Sequence, residues 1–190
     1  MEKYENVYSD FEVTKTSFKP KGATAFIENN CVGSLEIQET VRNITKKCRG
    51  VVVKNRTKHG GTIEGTLKLH MKWGLYKTLF GLNSDGLKEG INSLNRDKSV
   101  HPEFTMVNEV RDEDGTVKFL AFPCCVASEG AKKSIENGAT EVVEVEMKFS
   151  ASVDEIGNTM YEAIVQEITD ETVKTKWMTE FSTELVKVAA

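Results

Sequence analysis

Thr62-Ile63-Glu64-Gly65-Thr66-Leu67-Lys68-Leu69-His70-Met71 alternates without a break. Ile63, Gly65, Leu67, Leu69 and Met71 fall on one side; Thr62, Glu64, Thr66, Lys68 and His70 fall on the other. Successive strand side chains point to opposite faces, so this pattern predicts a strand with one face buried and one in water. Val143, Val145, Met147 and Phe149 repeat the pattern against Glu144, Glu146 and Lys148, and Leu35 and Ile37 alternate with Glu36 and Gln38. Phe104–Arg111 and Thr116–Phe122 flank Asp112-Glu113-Asp114-Gly115, whose acids ending in glycine predict a hairpin turn.

Trp73, Tyr76, Leu79 and Phe80 follow helical spacing instead, with Gly81 as a stop and Lys72 and Lys77 on the other face. This predicts a short helix of about two to three turns that plugs one end or side of a β-structure. Asn158–Val165 fits either period and stays open, and the polar, turn-rich Asp85–Ser99 reads as a loop. About six to eight strands with one helix predict a mainly β fold, an antiparallel sandwich or small barrel with one short flanking α-helix. No βαβ alternation supports a doubly wound sheet. No repeat or composition break divides residues 1–190, so they read as one domain. Flexible arms are expected at about 1–20 and 181–190, with a long basic hairpin at about 40–60.

The chain has 190 residues, enough for one domain with a real core. Its 39% hydrophobic and 28% charged residues exclude collagen-like, coiled-coil and disordered classes. No run approaches the ~18 apolar residues that a membrane helix needs. The start, Met1-Glu2-Lys3-Tyr4-Glu5-Asn6, has no apolar stretch, so no secretory signal and no membrane are expected. Cys31, Cys48, Cys124 and Cys125 form no CxxC or CxxH pair and read as reduced thiols and small buried hydrophobes rather than metal ligands.

Charge is strongly polarised. Residues 1–100 carry 17 Lys+Arg and 11 Asp+Glu, whereas residues 101–190 carry 8 and 18. Between positions 41 and 59 stand Arg42, Lys46, Lys47, Arg49, Lys54, Arg56 and Lys58 with no acid. Acids gather at Glu109, Asp112, Glu113, Asp114 and at Glu141, Glu144, Glu146. Such a chain can bind nucleic acid or copies of itself, plus face to minus face. The basic stretch supports three readings: a phosphate-contacting arm, a solvated hairpin, or an assembly arm in which Val51-Val52-Val53 adds an edge strand to a neighbour's sheet. The first lacks aromatics for base stacking.

Catalytic patterns are absent. His59, His70 and His101 read as surface or loop residues, and no GxSxG elbow or phosphate loop occurs. Glu144 and Glu146 are expected on one solvated strand face, and Asp154-Glu155-Ile156-Gly157-Asn158 lacks a calcium-loop pattern. Neither an enzyme nor a cofactor is called for.

Several stretches, in order, carry a resemblance. They are Gly33-Ser34-Leu35-Glu36-Ile37-Gln38-Glu39, Gly61–His70, Leu75-Tyr76-Lys77-Thr78-Leu79-Phe80-Gly81 and Phe119–Ala127. Ser134-Ile135-Glu136-Asn137-Gly138-Ala139-Thr140-Glu141-Val142-Val143-Glu144 and Asp154-Glu155 complete the set. Together they resemble the major tail proteins, or tail tube proteins, of long-tailed phages that infect Gram-positive bacteria. The resemblance implies the phage tail tube fold and a virion protein assembled in the host cytoplasm. Six copies would form a ring by joining their sheets, and rings would stack head to tail into a conduit for DNA ejection. It also implies a tape measure protein, a tail terminator and distal tail or baseplate proteins as partners, with DNA passing unbound. On this reading residues 41–59 are an inter-ring arm, and reversing Lys46, Lys47 and Arg49 to Glu blocks tube growth. The acidic partner or the lumen wall would come from Glu64, Asp112, Glu113, Asp114, Glu144 and Glu146. Two alternatives stand beside it: a secretion-system tube protein, and a small β-barrel whose Ile63-Leu67-Leu69 stripe lines a ligand cavity.

Overall fold

A computed structural model describes residues 4–188. Eight strands form one antiparallel sheet: β1 (Glu12–Pro20), β2 (Ile27–Asn29), β3 (Val32–Cys48), β4 (Val51–Leu69), β5 (Phe104–Arg111), β6 (Val117–Ala127), β7 (Val145–Ser152) and β8 (Tyr161–Ile164). The spatial order is β2-β1-β5-β6-β7-β4-β3, with β8 added beside β6. Strand β6 changes neighbour along its length: Lys118–Ala121 pair with β8, and Cys124–Ala127 pair with β7. Pro123 stands between the two pairings, where a missing N–H breaks a ladder at least cost. The sheet curls until the start of β1 and the start of β3 line one cleft.

The inner face closes on a packed core. Ile63, Leu67, Leu69, Met147, Phe149, Phe122, Phe104 and Phe18 are all buried there. Phe18 lies 5.8 Å from Phe104, and Phe122 lies 5.7 Å from Phe149. Burying each such ring stabilises the fold by about 1.5–3 kcal/mol. Helix α1 (Trp73–Leu79) seals this core with Leu75, Tyr76 and Leu79. Trp73 differs from its expected place: it faces solvent and stacks on Tyr76 with ring centroids 5.4 Å apart.

A second cluster covers the outer face of β5 and β6. Trp177 of α2 (Glu171–Glu180) and Phe181 pack on Val107, Phe119 and Ala121. The Trp177 indole N–H donates to the Leu120 carbonyl at 3.3 Å. A short α3 (Thr183–Val186) follows. The expected single helix is therefore joined by two more. Asp170 caps α2 by accepting the Thr172 N–H at 2.8 Å, while the helix's apolar residues are few and irregular.

Both expected arms need correction over part of their length; residues 1–3 and 189–190 lie outside the described residues. From Glu12 onward the N-terminal stretch is β1, an interior strand between β2 and β5, because Val13 and Phe18 pack into the core and Thr16 donates to buried Asn108 at 2.7 Å. The C-terminal stretch begins with Phe181, which is buried against Trp177 and Tyr161, and continues as α3 through Val186. Within Asn158–Val165, the residues before Tyr161 form a loop, Tyr161–Ile164 form β8, and Val165 opens a 3-10 turn (Val165–Glu167).

Candidate assembly interface

Past its body, the β3–β4 ladder continues as a bare two-stranded ribbon. Strand β7 pairs with β4 from Leu69 only as far as Thr62. Beyond that point the ladder partners of Val41–Cys48 and Val51–His59 are only each other. Their tip is the turn Arg49-Gly50, both with positive φ (50° and 82°), which matches the right-handed twist of a tight hairpin. Residues 41–59 are exposed throughout. Among the described residues, no hydrogen bond or ion pair joins residues 41–58 to the body.

The register sorts the cations. Arg42 lies opposite Lys58, Ile44 opposite Arg56, and Lys46 opposite Lys54. Directly paired residues point to the same side, so five cations and one isoleucine occupy one face with no acid among them. The other face carries Val41 and His59, Asn43 and Thr57, and Thr45 and Asn55, with Thr57 donating to Asn43 at 2.7 Å. Lys47 alternates with Lys46 along β3 and so points to this other face, opposite Val52 across a one-residue register shift, and Arg49 is in the turn. Of the seven basic residues picked out in the sequence, the fold therefore unites Arg42, Lys46, Lys54, Arg56 and Lys58 and leaves out Lys47 and Arg49. Two like-charged rungs are unfavourable within the isolated chain. Parity carried the missing signal: the five united cations all have even numbers, but only the register reveals that both strands' even residues share a face.

The acids do not form one surface. Asp112 is buried in its turn, where it accepts N–H bonds from Thr116 at 2.6 Å and Asp114 at 3.0 Å. Burial raises its carboxyl, and these bonds more than reverse that, holding it below its ordinary value. Glu113 and Asp114 are exposed beside it. Glu64 is exposed on the outer face of the sheet, level with Gln38 and Ser150. Glu146 shares that face but lies opposite Lys68 and pairs with Lys132 at 3.2 Å. Lys148 pairs with Glu129 at 2.9 Å on the same face. Glu144 precedes β7, which starts at Val145, so it does not share a strand face with Glu146; its carboxylate sits against Gly33. The outer sheet face is thus mixed in charge rather than uniformly acidic.

The remaining reactive side chains have structural surroundings. His101 Nδ1 lies 2.7 Å from the Ala127 carbonyl, with its ring edge-on to Phe80. His59 Nε2 lies 2.8 Å from Thr159 Oγ1, and His70 is exposed. Burial pushes the Cys124 and Cys125 thiols up, with nearby Glu103 adding to the shift, so both stay protonated at neutral pH. Among the described residues, no group of three His, Cys, Asp or Glu side chains is placed to hold a metal. No described helix is long and apolar enough to cross a membrane.

Fold and ribbon together define a mainly β protein, a curled antiparallel sheet with flanking helices and one cantilevered cationic hairpin. No protein-family model and no curated protein matches the chain. Among the solved structures that are similar to it are these three. One is in the six-fold symmetrised baseplate of the anti-feeding prophage: 10% identity, 87% of this chain and 99% of that one covered, TM-score 0.45. Another is in the cap that terminates the same particle's tube: 9% identity, 84% and 96% covered, TM-score 0.42. A third is in the extended sheath–tube complex of an extracellular contractile injection system: 11% identity, 80% and 90% covered, TM-score 0.40.

Proposed function

We propose that this chain is a structural, non-catalytic subunit of a phage-tail-like tube, working by binding copies of itself. The observation that carries the reading is the hairpin of residues 41–59. An isolated two-stranded ribbon is marginal in water, and this one stacks like charges on its own rungs. Both costs are offset when an anionic protein surface covers the cationic face. Residues 101–190 carry 18 Asp+Glu against 8 Lys+Arg, so the acids that would meet it on another copy are sought in that half of the chain. Glu113 and Asp114 are exposed candidates on that copy.

The free edge of β3 supports the same reading. Strand β3 pairs with β4 on one side, and its other edge carries no ladder among the described residues. A long open edge invites pairing with another chain, and closed rings are one way to occupy it. The packed interior argues against the ligand-barrel alternative: Ile63, Leu67 and Leu69 sit at 0–1% exposure among phenylalanine rings.

In the full proposal, six copies join sheets into a ring, rings stack head to tail, and the hairpin crosses from ring to ring. The tube conducts DNA, and a tape measure protein, terminator and distal tail proteins complete it, as in the tails of phages of Gram-positive bacteria. Glu64 would face the lumen on the mixed-charge sheet face. Negative-stain imaging of the concentrated protein tests the core of this: rings or tubes are expected, and a strict monomer at high concentration would refute it.

A further inference from the structure

The hairpin leaves the body through a joint. Glu39 pairs with Ile63 and Val41 with His59, so Thr40 alone lies opposite Gly60, Gly61 and Thr62. Extra residues on one strand bend the ladder and increase its twist. Both glycines are required there. Gly61 has φ +90°, and a Cβ on Gly60 would meet Thr40 Oγ1 at 2.5 Å and the Thr40 carbonyl at 2.9 Å. Thr40 Oγ1 stitches the joint by donating to the Thr62 carbonyl at 2.8 Å. Support from β7 ends at this same Thr62, paired with Ser152.

One side chain just beyond the joint reaches back to the body. His59 Nε2 lies 2.8 Å from Thr159 Oγ1, and its Nδ1 lies 3.8 Å from the Glu39 carboxylate. Thr159 is a firm anchor: it is buried and sits on a tight loop. Asp154 organises that loop, accepting N–H bonds from Ile156 at 3.0 Å and Asn158 at 2.9 Å. Asp154 also accepts from the Thr183 hydroxyl at 3.2 Å, which ties the loop to α3. A bent, glycine-rich joint with a single lateral bond outside it has the mechanics of a hinge held by a latch.

We propose that His59, through Thr159, is a positioning residue that sets the angle of the hairpin about the Gly60-Gly61 joint. Its consequence for assembly rests on the arm reading above, but the latch itself is a property of the single chain. The stretch from joint to tip is about 27 Å long at about 3.3 Å per residue, so a swing of about 30° moves the tip by about 14 Å. That displacement would carry five cations off any fixed acidic target.

The native thiols allow a direct measurement. Cys48 is exposed at the tip, and Cys31 is exposed just before β3, on the body side of the joint. With Cys124→Ser removing the half-buried thiol, nitroxides on Cys31 and Cys48 report the angle as a distance distribution by pulsed electron resonance. The parent protein is expected to give one narrow distribution. His59→Ala and Thr159→Val are each expected to widen it by about 5 Å, without loss of thermal stability in the body. Two variants guard against a local folding defect in either one. Distributions as narrow as the parent's in both variants would overturn the latch. If the distributions widen and the variants still form tubes at the parent's concentration, the latch holds and the arm reading falls.

Discussion

Reversing Arg42 and Lys46 together to glutamate separates assembly from folding. Both belong to the cationic face, opposite Lys58 and Lys54 respectively. Across an assembled interface the double variant loses two attractions and gains two repulsions, each about 0.2–1 kcal/mol when exposed. The sum is about 1–4 kcal/mol per interface, which raises the concentration needed for assembly roughly 5- to 700-fold. Within the single chain the sign is opposite. Two like-charged rungs become oppositely charged, each favourable by about 0.2–1 kcal/mol, so the hairpin becomes more stable. Light scattering against concentration reads the first effect, and amide exchange across residues 42–58 reads the second. Lys47→Glu, on the neutral face, is the control and should change assembly little. Parent assembly should also weaken as salt rises, since screening acts over about 10 Å at 0.1 M. Unchanged assembly by the double variant, or equal damage from Lys47→Glu, would refute the face-specific contact.

Three further outcomes test the fold beneath the arm. Trp177→Ala removes the buried indole that joins α2 to β5 and β6; a loss of about 3–5 kcal/mol is expected, lowering the melting temperature by about 6–20 °C in calorimetry. Gly65→Ala places a Cβ 2.5 Å from both the Glu36 carbonyl and the Phe149 ring, and should cost about 1–3 kcal/mol in urea unfolding. Glu109 supplies a pH signature. Burial alone raises its carboxyl, but the Thr14 and Arg111 hydrogen bonds and the Lys15 ammonium more than reverse that, so it titrates below its ordinary 4.5. A carboxyl depressed in the folded state adds stability above pH 4.5 that is lost as the pH falls through its folded value. Glu109→Gln should therefore show a shallower fall in urea midpoint on acidification than the parent.

The residues themselves determined the local pattern. Strict alternation at Thr62–Met71 and Val143–Phe149 has one physical meaning, a half-buried strand; β4 covers the first as far as Leu69, and β7 covers the second only from Val145, leaving Val143 outside the strand and exposed. The helical spacing of Trp73, Tyr76, Leu79 and Phe80 likewise has one, and α1 stands over Trp73–Leu79, although Trp73 is exposed while the other three are buried. Helix α2 was not legible because Trp177 is its one buried residue, too sparse for a helical stripe; its place depends on the pocket that Phe119 and Phe181 provide. Strand β1 does not show in the sequence because mixed Thr, Ser and Lys residues hide its inward face until β2 and β5 flank it. The concentration of cations between positions 41 and 59 was plain in the sequence. Their division into a charged face and a neutral one was not, because it depends on which residue of β3 meets which residue of β4. Register is settled by long-range pairing and by the Gly60-Gly61 bulge, and a slip of one position would have sent Arg42 and Lys46 to the opposite side from Lys54, Arg56 and Lys58.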